Sequence, residues 1–273
     1  MKKKYLKGNL MIRQLKNTIF SYNYWHLVLT IVSRNLKEEF GSSYLGNLWL
    51  LIRPLVLILV LSAVLSRITR FPEQENYVFF LTTNLVHWLF IANIMSISTV
   101  SLIQRAGILK LCSVPKTIFI LSDIIKFSKI YIVSLVALYI AVGFFTHIQF
   151  HATAFLFPIY LIILFFILFF IAIILAYISP YVRDVKTLVE ALMPAFMWLT
   201  PVMYPVNILD SSIASIIKYS PFSVMIAPFT KILYYGQIPS TFDHVALLIL
   251  FCSLMTIAAI THYKLSKNVI YYL

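Results

Sequence analysis

The first pattern that could carry chemistry is a pair of glycines. Gly41 and Gly46 stand at the G-x-x-x-x-G spacing of a phosphate-binding loop. In such a loop a lysine and then a serine or threonine follow directly, whereas Asn47 and Leu48 follow here. No other pair of glycines has this spacing. Because the lysine that binds the phosphate is missing, we predict that this chain has no ATPase site of its own.

Two histidines have the spacing of metal ligands on one face of a helix. His147 and His151 are four residues apart, but no cysteine or carboxylate lies near them in the sequence. A zinc site takes at least three protein ligands, so this pair alone does not predict one. The chain also lacks an ordered constellation of Ser, His and Asp. We therefore predict neither a metal site nor a catalytic site, and expect that the chain is not an enzyme.

The composition assigns the chain to a membrane. Hydrophobic residues make up 61% of its 273 residues, charged residues make up only 11%, and the mean hydropathy is +0.92. A water-soluble protein of this size needs more polar surface. Apolar runs of about 20 residues, which cross the hydrocarbon core as helices, cover residues 48–66, 77–98, 118–145, 152–178, 187–206 and 244–262. Their continuous apolar character predicts an all-α integral membrane fold with six transmembrane helices.

The basic residues predict how these helices are oriented. With both termini in the cytoplasm, the cytoplasmic segments contain 15 of the 22 Lys and Arg residues. Lys and Arg are retained on the cytoplasmic side, so we expect this orientation, in a cytoplasmic (inner) membrane. The net charge of +13 lies on the flanks of the apolar runs, where it meets anionic lipid head groups. Membrane lipids are therefore the expected partners of this charge, and nucleic acid is not.

The segment before the first apolar run predicts an amphipathic helix. Its apolar residues recur at spacings of three and four, namely Trp25, Val28, Leu29, Val32, Leu36 and Phe40. Such a helix lies in the plane of the head groups. Gly41 and Gly46 let the chain bend into the first span, with Trp49 at the interface. We therefore divide the chain into a cytoplasmic N-terminus with this interfacial helix, residues 1–47, and a six-span domain, residues 48–273.

Few carboxylates fall inside the apolar runs. Asp123 and Glu190 lie near predicted cytoplasmic ends, and Lys126 and Lys186 stand three and four residues from them. Side chains at these spacings face each other on a helix. We therefore predict that Asp123 pairs with Lys126 rather than marking a route for ions.

Four segments, in order along the chain, resemble one family. Arg34, Lys37 and the run SSYLGNLW, followed by Pro54, look like the interfacial motif of type-2 ATP-binding-cassette (ABC) exporter permeases for polysaccharides. Residues 101–123 are similar to the family's loop after the second span. Residues 181–205 are similar to its Arg-Asp pair with the fifth span, and residues 219–239 are similar to the segment before its last span. The resemblance implies the ABC type-2 exporter permease fold.

The resemblance also implies partners and cofactors. The family works as two permease copies with two ATPase subunits, so we expect a homodimer and a nucleotide-binding partner that binds ATP and Mg. Residues 99–117 would form a loop with a helix that couples the partner's movement to the spans. Its candidate contact residues are Gln104, Arg105, Leu109, Lys110 and Lys116. A solvated loop with positive-inside charge is the alternative for these residues.

Two further groups of motif residues have candidate roles. The interfacial motif contributes Arg34, Lys37, Gly46, Trp49 and Pro54. The loop after the fourth span contributes Arg183 and Asp184. Three roles stay open for this pair: an ion pair with each other, a cap of the fifth helix, or contact with the ATPase.

The resemblance implies a route for the cargo as well. Residues 207–243 correspond to short helices that gate the outer mouth, and the expected breaks are Pro221, Pro228 and Gly236. The fifth span contains three prolines, so its helix must kink or end early. Sugars stack on aromatic faces, and the candidate residues of a glycan path are Trp88, Phe196, Trp198 and Tyr204. An interfacial belt or ordinary packing is the alternative for each of these aromatics.

These observations lead to one expected function and two alternatives. The expected function is a permease subunit that exports lipid-linked polysaccharide of the O-antigen, capsule or teichoic-acid type, driven by ATP hydrolysis in a separate subunit. The first alternative is an ABC permease for another lipophilic cargo, such as a drug or a lipid. The second is an integral membrane glycosyl- or acyltransferase, which would need polar clusters that the apolar runs do not contain.

Overall fold

The computed structural model describes residues 22–40, 44–68, 76–111, 114–145 and 151–273. Gly41, His147 and the side chain of Phe40 lie outside this description, so the predictions on them stay predictions. Within the described ranges, every regular element is a helix.

Ten α-helices with short 3-10 and π turns make up the described chain. The first five are α1 (Tyr22–Phe40), α2 (Trp49–Ile68), α3 (Tyr77–Val100), α4 (Ala106–Leu111) and α5 (Thr117–Phe145). The others are α6 (Phe157–Ile178), α7 (Asp184–Leu199), α8 (Ser211–Lys218), α9 (Pro221–Phe229) and α10 (Thr241–Leu265). The 3-10 helices cover Gly46–Leu48, Ala152–Leu156, Val206–Ile208 and Val269–Tyr272, and a π turn, Thr230–Tyr234, follows α9.

Four helices of the described chain are long and apolar enough to cross a bilayer, namely α3, α5, α6 and α10. Helix α6 continues the 3-10 helix before it, so this span covers Ala152–Ile178. A fifth candidate is α8 together with α9 and its π turn, a pair that is bent by 84°. The four straight spans coincide with four of the six predicted ones.

The other two predicted spans, residues 48–66 and 187–206, are not confirmed. The strongly apolar part of α2, Ile52–Val64, is shorter than a membrane span. Helix α7 ends at Leu199, before the predicted span does. The reason is local, because Thr200 precedes a proline and is driven out of the helical region; its φ and ψ are −108° and 141°.

Helix α3 lies at the centre of the bundle. It packs against α2, α5, α6, α7 and α9. In its most apolar stretch 72% of the residues are buried, whereas the value for α10 is 17%. Helices α5 and α6 pack directly against α3, and α10 packs on α6. All three turn apolar side chains outward, as helices that face lipid do.

The two ends of the bundle hold different loops. At one end α4 contacts the C-terminal 3-10 helix, and Tyr181 Oη donates to the Leu265 carbonyl at 3.2 Å. At the opposite end Tyr77 Oη donates to the Met203 carbonyl at 2.8 Å, and Thr153 Oγ1 donates to the Ile232 carbonyl at 2.7 Å. We call these the α4 end and the α8 end.

Helix α1 has the predicted amphipathic pattern, but part of its apolar face covers protein. Val28 and Val32 are fully buried in a small cluster with Ile118 at the start of α5. Trp25 and Leu29 are exposed. The apolar face of α1 is therefore divided between a contact with α5 and an uncovered surface, and its position in the head-group plane stays a prediction.

The three expected breaks of the 207–243 segment have different local structures. Pro221 opens α9 directly after the bend from α8. Pro228 lies inside α9, which continues to Phe229. The π turn then begins at Thr230. Gly236 has a φ of +62°, and an added Cβ would lie 2.5 Å from the His151 ring. Gly236 therefore allows both the turn and the close approach of His151.

We predict that truncation of Ile91 in α3 destabilises the protein far more than truncation of Ile140 in α5. Ile91 is fully buried, so Ile91→Ala leaves a cavity and lowers the free energy of unfolding by about 2 to 5 kcal/mol. Ile140 is 57% exposed on an outward side, where detergent or lipid replaces its contacts. Thermal unfolding in maltoside micelles measures both variants, and an equal loss in both would contradict this arrangement.

Candidate functional site

At the α4 end, a buried ion pair holds the start of the α4 loop. Arg105 Nη2 lies 2.6 Å from Asp123 Oδ1, and Nη1 lies 3.0 Å from Oδ2. Ser101 Oγ donates to Oδ2 at 2.6 Å, and the Ser101 carbonyl accepts from Arg105 Nη1 at 2.8 Å. The side chains of Arg105 and Asp123 are only 13% and 3% exposed. This bidentate pair fixes the approach of the α4 loop to α5.

The ion pair bears on two predictions from the sequence. Asp123 binds Arg105 through both carboxylate oxygens, whereas Lys126, its predicted partner, has its Nζ 4.5 Å from the centre of the Phe127 ring. Arg105 and Leu109 are largely buried within this chain, and their predicted contact with an ATPase stays a prediction. The predicted i,i+4 partners Lys186 and Glu190 do lie close, at 3.8 Å.

The opposite side of α4 is an exposed surface with apolar and polar residues. Leu111 is 87% exposed and Ile108 is 48% exposed. Gln104 and Lys110, both predicted as contact residues, are exposed on the same loop. Among the described residues, nothing lies within 4 Å of a Cβ added at Gly107. We define the α4 surface as Gln104, Gly107, Ile108, Lys110 and Leu111.

Sequence reasoning missed Ile108 and Leu111. The signal was present, because two apolar residues in a loop between spans have no membrane to cover them. Lys116, the last predicted contact residue, is half-buried beside the start of α5, and this burial lowers the pKa of its ammonium group.

The other motif residues of this end occupy separate positions. Arg34 pairs with Glu38 at 2.7 Å on the exposed side of α1, and Lys37 is exposed beside them. Arg183 and Asp184 are both exposed at the start of α7, and in the described chain no ion pair joins them. Asp184 stands in the first turn of α7, where the helix dipole favours a negative charge.

The bend into α2 uses the predicted residues of the interfacial motif. Gly46 has a φ of +46°, which favours glycine. Trp49 is the first residue of α2, and the Arg53 guanidinium carbon lies 6.0 Å from the centre of its ring. Pro54 lies inside α2, and the helix runs on to Ile68.

At the α8 end, a cavity of about 550 Å³ opens between the end of α7, α8, α9 and the start of α10. We call it the α8 cavity. Its lining combines aromatic rings with charged and amide groups, including Phe80, Tyr204, Asn207, Lys218, Lys231, Tyr235, Gln237, Phe242 and Asp243. Lys231 forms an ion pair with Asp243, whose Oδ2 also accepts from the backbone N–H and the hydroxyl of Ser240 at 2.7 Å each. Lys218 Nζ lies 5.9 Å from the centre of the Phe242 ring.

Of the four aromatics predicted for a glycan path, Tyr204 lines the α8 cavity. Its hydroxyl donates to the Trp198 carbonyl at 2.7 Å, while the Trp198 ring is exposed at the end of α7. Trp88 is buried against Phe222, and Phe196 is half-buried against the same ring. For Trp88 and Phe196 the geometry therefore supports packing, which was the alternative interpretation.

Sequence reasoning missed Lys231, Phe242 and Asp243. A signal for one of them was readable, because Ser240 and Asp243 form a capping box at the start of α10. The contact of Lys231 with Asp243 depends on how the π turn folds back onto α10.

Comparison with known proteins identifies the family. A family model described as ABC-2 type transporter matches residues 26–234. The chain belongs to the ABC-2 type transporter family. The family accounts for the multi-pass apolar helices, and it implies an ABC ATPase as partner.

Relatives of this ABC-2 transporter protein include permeases that are named for the export of O-antigen. The O-antigen export system permease protein RfbA of Myxococcus xanthus is 24% identical over 221 residues, which are 80% of this chain and 84% of that protein. The permease of the same name from Klebsiella pneumoniae is 31% identical over 98 residues, which are 36% of this chain and 38% of that protein. The second similarity therefore covers a part of each chain, and the first covers most of both.

We predict that the Arg105–Asp123 pair stabilises the α4 loop as a unit. Arg105→Met removes the bidentate charged partner of a buried carboxylate, so it should lower the free energy of unfolding by about 3 to 5 kcal/mol. The double variant Arg105→Met with Asp123→Leu also lacks that carboxylate, so it should regain most of the lost stability. Melting temperatures of the two variants, with the exposed Lys110→Met as control, measure this. A double variant no more stable than Arg105→Met would contradict the pairing.

Proposed function

We propose that this chain is the transmembrane permease subunit of an ABC transporter that exports a lipid-linked polysaccharide of the O-antigen, capsule or teichoic-acid type. The main support for this proposal is the alignment with the Myxococcus xanthus O-antigen export permease over 80% of this chain. The match of residues 26–234 to the ABC-2 family supports the same proposal. A partner subunit supplies the ATPase site, with its ATP and Mg.

The α4 surface is the proposed contact with that ATPase. It is short, exposed and apolar, with Ile108 and Leu111 outermost and Lys110 beside them. Exposed apolar groups of this kind mark interaction sites. On the buried side of the same loop, Arg105 binds Asp123 in α5, so a push on α4 passes directly to a spanning helix.

The α4 end is proposed to face the cytoplasm. Several basic residues lie there in exposed positions, including Arg34, Lys37, Lys110, Arg183 and Lys264. The C-terminal 3-10 helix contacts α4, so the C-terminus belongs to the same side. This arrangement agrees with the positive-inside rule and with both termini at the cytoplasmic face of the inner membrane.

A second copy of the chain is proposed to cover α2 and α7. Helix α7 packs against α3, and its buried residues are Val189 and Met193, while Leu188, Trp198 and Leu199 are exposed. Its 16 residues give a length of about 24 Å, less than the hydrocarbon core. In a homodimer, α2 and α7 would complete the six-span arrangement next to the partner copy instead of facing lipid alone.

The α8 cavity is the proposed contact for the sugar chain on its way out. Tyr204, Tyr235 and Phe242 offer ring faces, on which sugar rings stack. Lys218 and Asp243 offer a donor and an acceptor for hydroxyl groups. With the α4 end in the cytoplasm, this cavity lies at the outer mouth.

The proposed function is tested by reconstituting the chain into liposomes with its partner ATPase and a fluorescent lipid-linked glycan. We expect ATP-dependent translocation that requires both proteins. Processing of the glycolipid by this chain alone, without ATP, would favour a membrane enzyme. Translocation of lipids but not of lipid-linked glycans would favour the other lipophilic cargo.

In this assay we predict that Ile108→Asp and Leu111→Asp uncouple transport from ATP hydrolysis. A buried apolar contact at the centre of an interface contributes about 2 kcal/mol, so translocation should fall by tenfold or more. The melting temperature should stay unchanged because both side chains are exposed. Ile238→Asp, an exposed isoleucine near the α8 end, is the control. Normal coupling in both α4 variants would exclude the α4 surface as the contact.

We further predict that Tyr235→Ala slows glycan translocation and lowers the melting temperature only slightly, through the loss of its ring contact with Tyr234. The ring is partly exposed in the α8 cavity, so its loss removes a stacking face worth about 1 kcal/mol and should slow transport several-fold. Tyr263→Ala is the matched control, because Tyr263 is exposed near the α4 end of α10. Equal rates for the two variants would argue against a sugar contact in this cavity.

A further inference from the structure

A groove of about 250 Å³ runs between α2, α3 and α5 on the side of the α4 end. Its polar members are Arg53, Asn93, Tyr131 and Ser134. Apolar residues form the rest of its walls, including Leu57, Leu89, Phe127 and Ile130. Neither the α4 surface nor the α8 cavity shares a residue with this groove.

The charge in the groove belongs to Arg53. Arg53 is the fifth residue of α2, so it lies about one turn deeper than Trp49 at the start of the helix. Its side chain is exposed, and among the described residues no carboxylate pairs with it. A cation on a membrane helix is costly and usually serves a ligand or a partner group. The Trp49 ring, 6.0 Å away, covers one side of the guanidinium.

Two further polar groups point to a ligand with several acceptor oxygens. Asn93 is an exposed amide in the apolar α3, and it also lines the groove. Tyr131 is only 3% exposed, and its hydroxyl has no hydrogen-bond partner in the described chain. The Tyr131 ring stacks on Phe90 at 4.6 Å, which fixes its position in the wall. A guanidinium, an amide and a phenol are all hydrogen-bond donors.

We propose that this groove binds the phosphate group of a lipid in the adjoining leaflet. A phosphate is acceptor-rich and anionic, and a guanidinium binds it through two parallel hydrogen bonds. Asn93 and Tyr131 donate from the two other helices. The apolar walls contact the first part of the lipid's hydrocarbon chain, and the rest of that chain lies in the bilayer. A volume of about 250 Å³ has room for a head-group phosphate, not for a glycan.

Snorkelling of Arg53 toward the general head-group layer is the competing explanation. That explanation involves Arg53 alone, and it gives no role to Asn93 or to the buried hydroxyl of Tyr131. The proposed site requires donors from three helices to converge on one lipid. Substitution of Asn93 therefore separates the two explanations.

The phosphate has two sources. One is the carrier lipid of the glycan, and this choice rests on the proposed function. The other is an ordinary anionic phospholipid, which would act as a bound structural lipid. Both sources present the same chemistry to Arg53, so the experiment must compare them directly.

The test is lipid binding to the purified full-length chain in maltoside micelles, which contain no phosphate. Radiolabelled polyprenyl diphosphate and phosphatidylglycerol are titrated separately, with polyprenol as the competitor that lacks phosphate. We expect Arg53→Gln to weaken binding about tenfold, as the loss of a charged hydrogen bond does, and Arg53→Lys to weaken it less. Asn93→Leu should weaken binding several-fold. Lys264→Gln, another exposed basic residue, is the matched control and should bind normally.

Tighter binding of polyprenyl diphosphate identifies the carrier lipid, and equal or tighter binding of phosphatidylglycerol identifies a phospholipid site. Unchanged binding in Arg53→Gln, unchanged binding in Asn93→Leu, or full competition by polyprenol would overturn the proposal. The assay contains no ATPase and no glycan. Failure of export in liposomes therefore leaves this result standing, and failure of lipid binding leaves the export proposal standing.

Discussion

Burial of helix α3 is the constraint on which the other helices depend. A helix surrounded by protein inside a membrane has no water for its polar side chains, so neighbouring helices must supply their partners. The Thr83 hydroxyl lies 2.8 Å from the Tyr139 hydroxyl of α5, and Asn84 accepts from Thr230 in the π turn. His87 Nδ1 donates to the Thr83 carbonyl at 2.5 Å. The Thr83 and Asn84 contacts orient α5 and the π turn around α3, whereas the His87 bond lies within α3 itself.

From this core, one ion pair extends to each end of the bundle. Arg105 binds Asp123 at the α4 end, and Lys231 binds Asp243 at the α8 end. In both cases a loop residue meets a carboxylate near the start of a long helix. Breaking such a partly buried pair leaves a charge without its partner, so each loop is held in one position. The exposed groups of the α4 surface and the α8 cavity are then presented on fixed supports.

The α4 loop and the lipid groove share helices. Helix α5 carries Asp123, which holds the loop, and Tyr131, which lines the groove two turns further along. Helix α3 contributes Asn93 to the groove and leads directly into the α4 loop. A displacement of α4 by an ATPase would therefore reach the groove through two of its three walls. The geometry gives the proposed lipid site a physical connection to the proposed source of movement.

The sequence by itself determined the class of fold, four long spans, the amphipathic α1 and the early end of a fifth helix. These follow from contiguous apolar runs, a spacing of three and four, and the prolines after Leu199, all of which are local properties of the chain. Only the tertiary structure decided that Asp123 meets Arg105, 18 residues before it, and that Leu109 turns inward while Ile108 and Leu111 turn out. Hydropathy and periodicity describe one helix at a time, whereas these choices depend on packing between residues far apart in the chain.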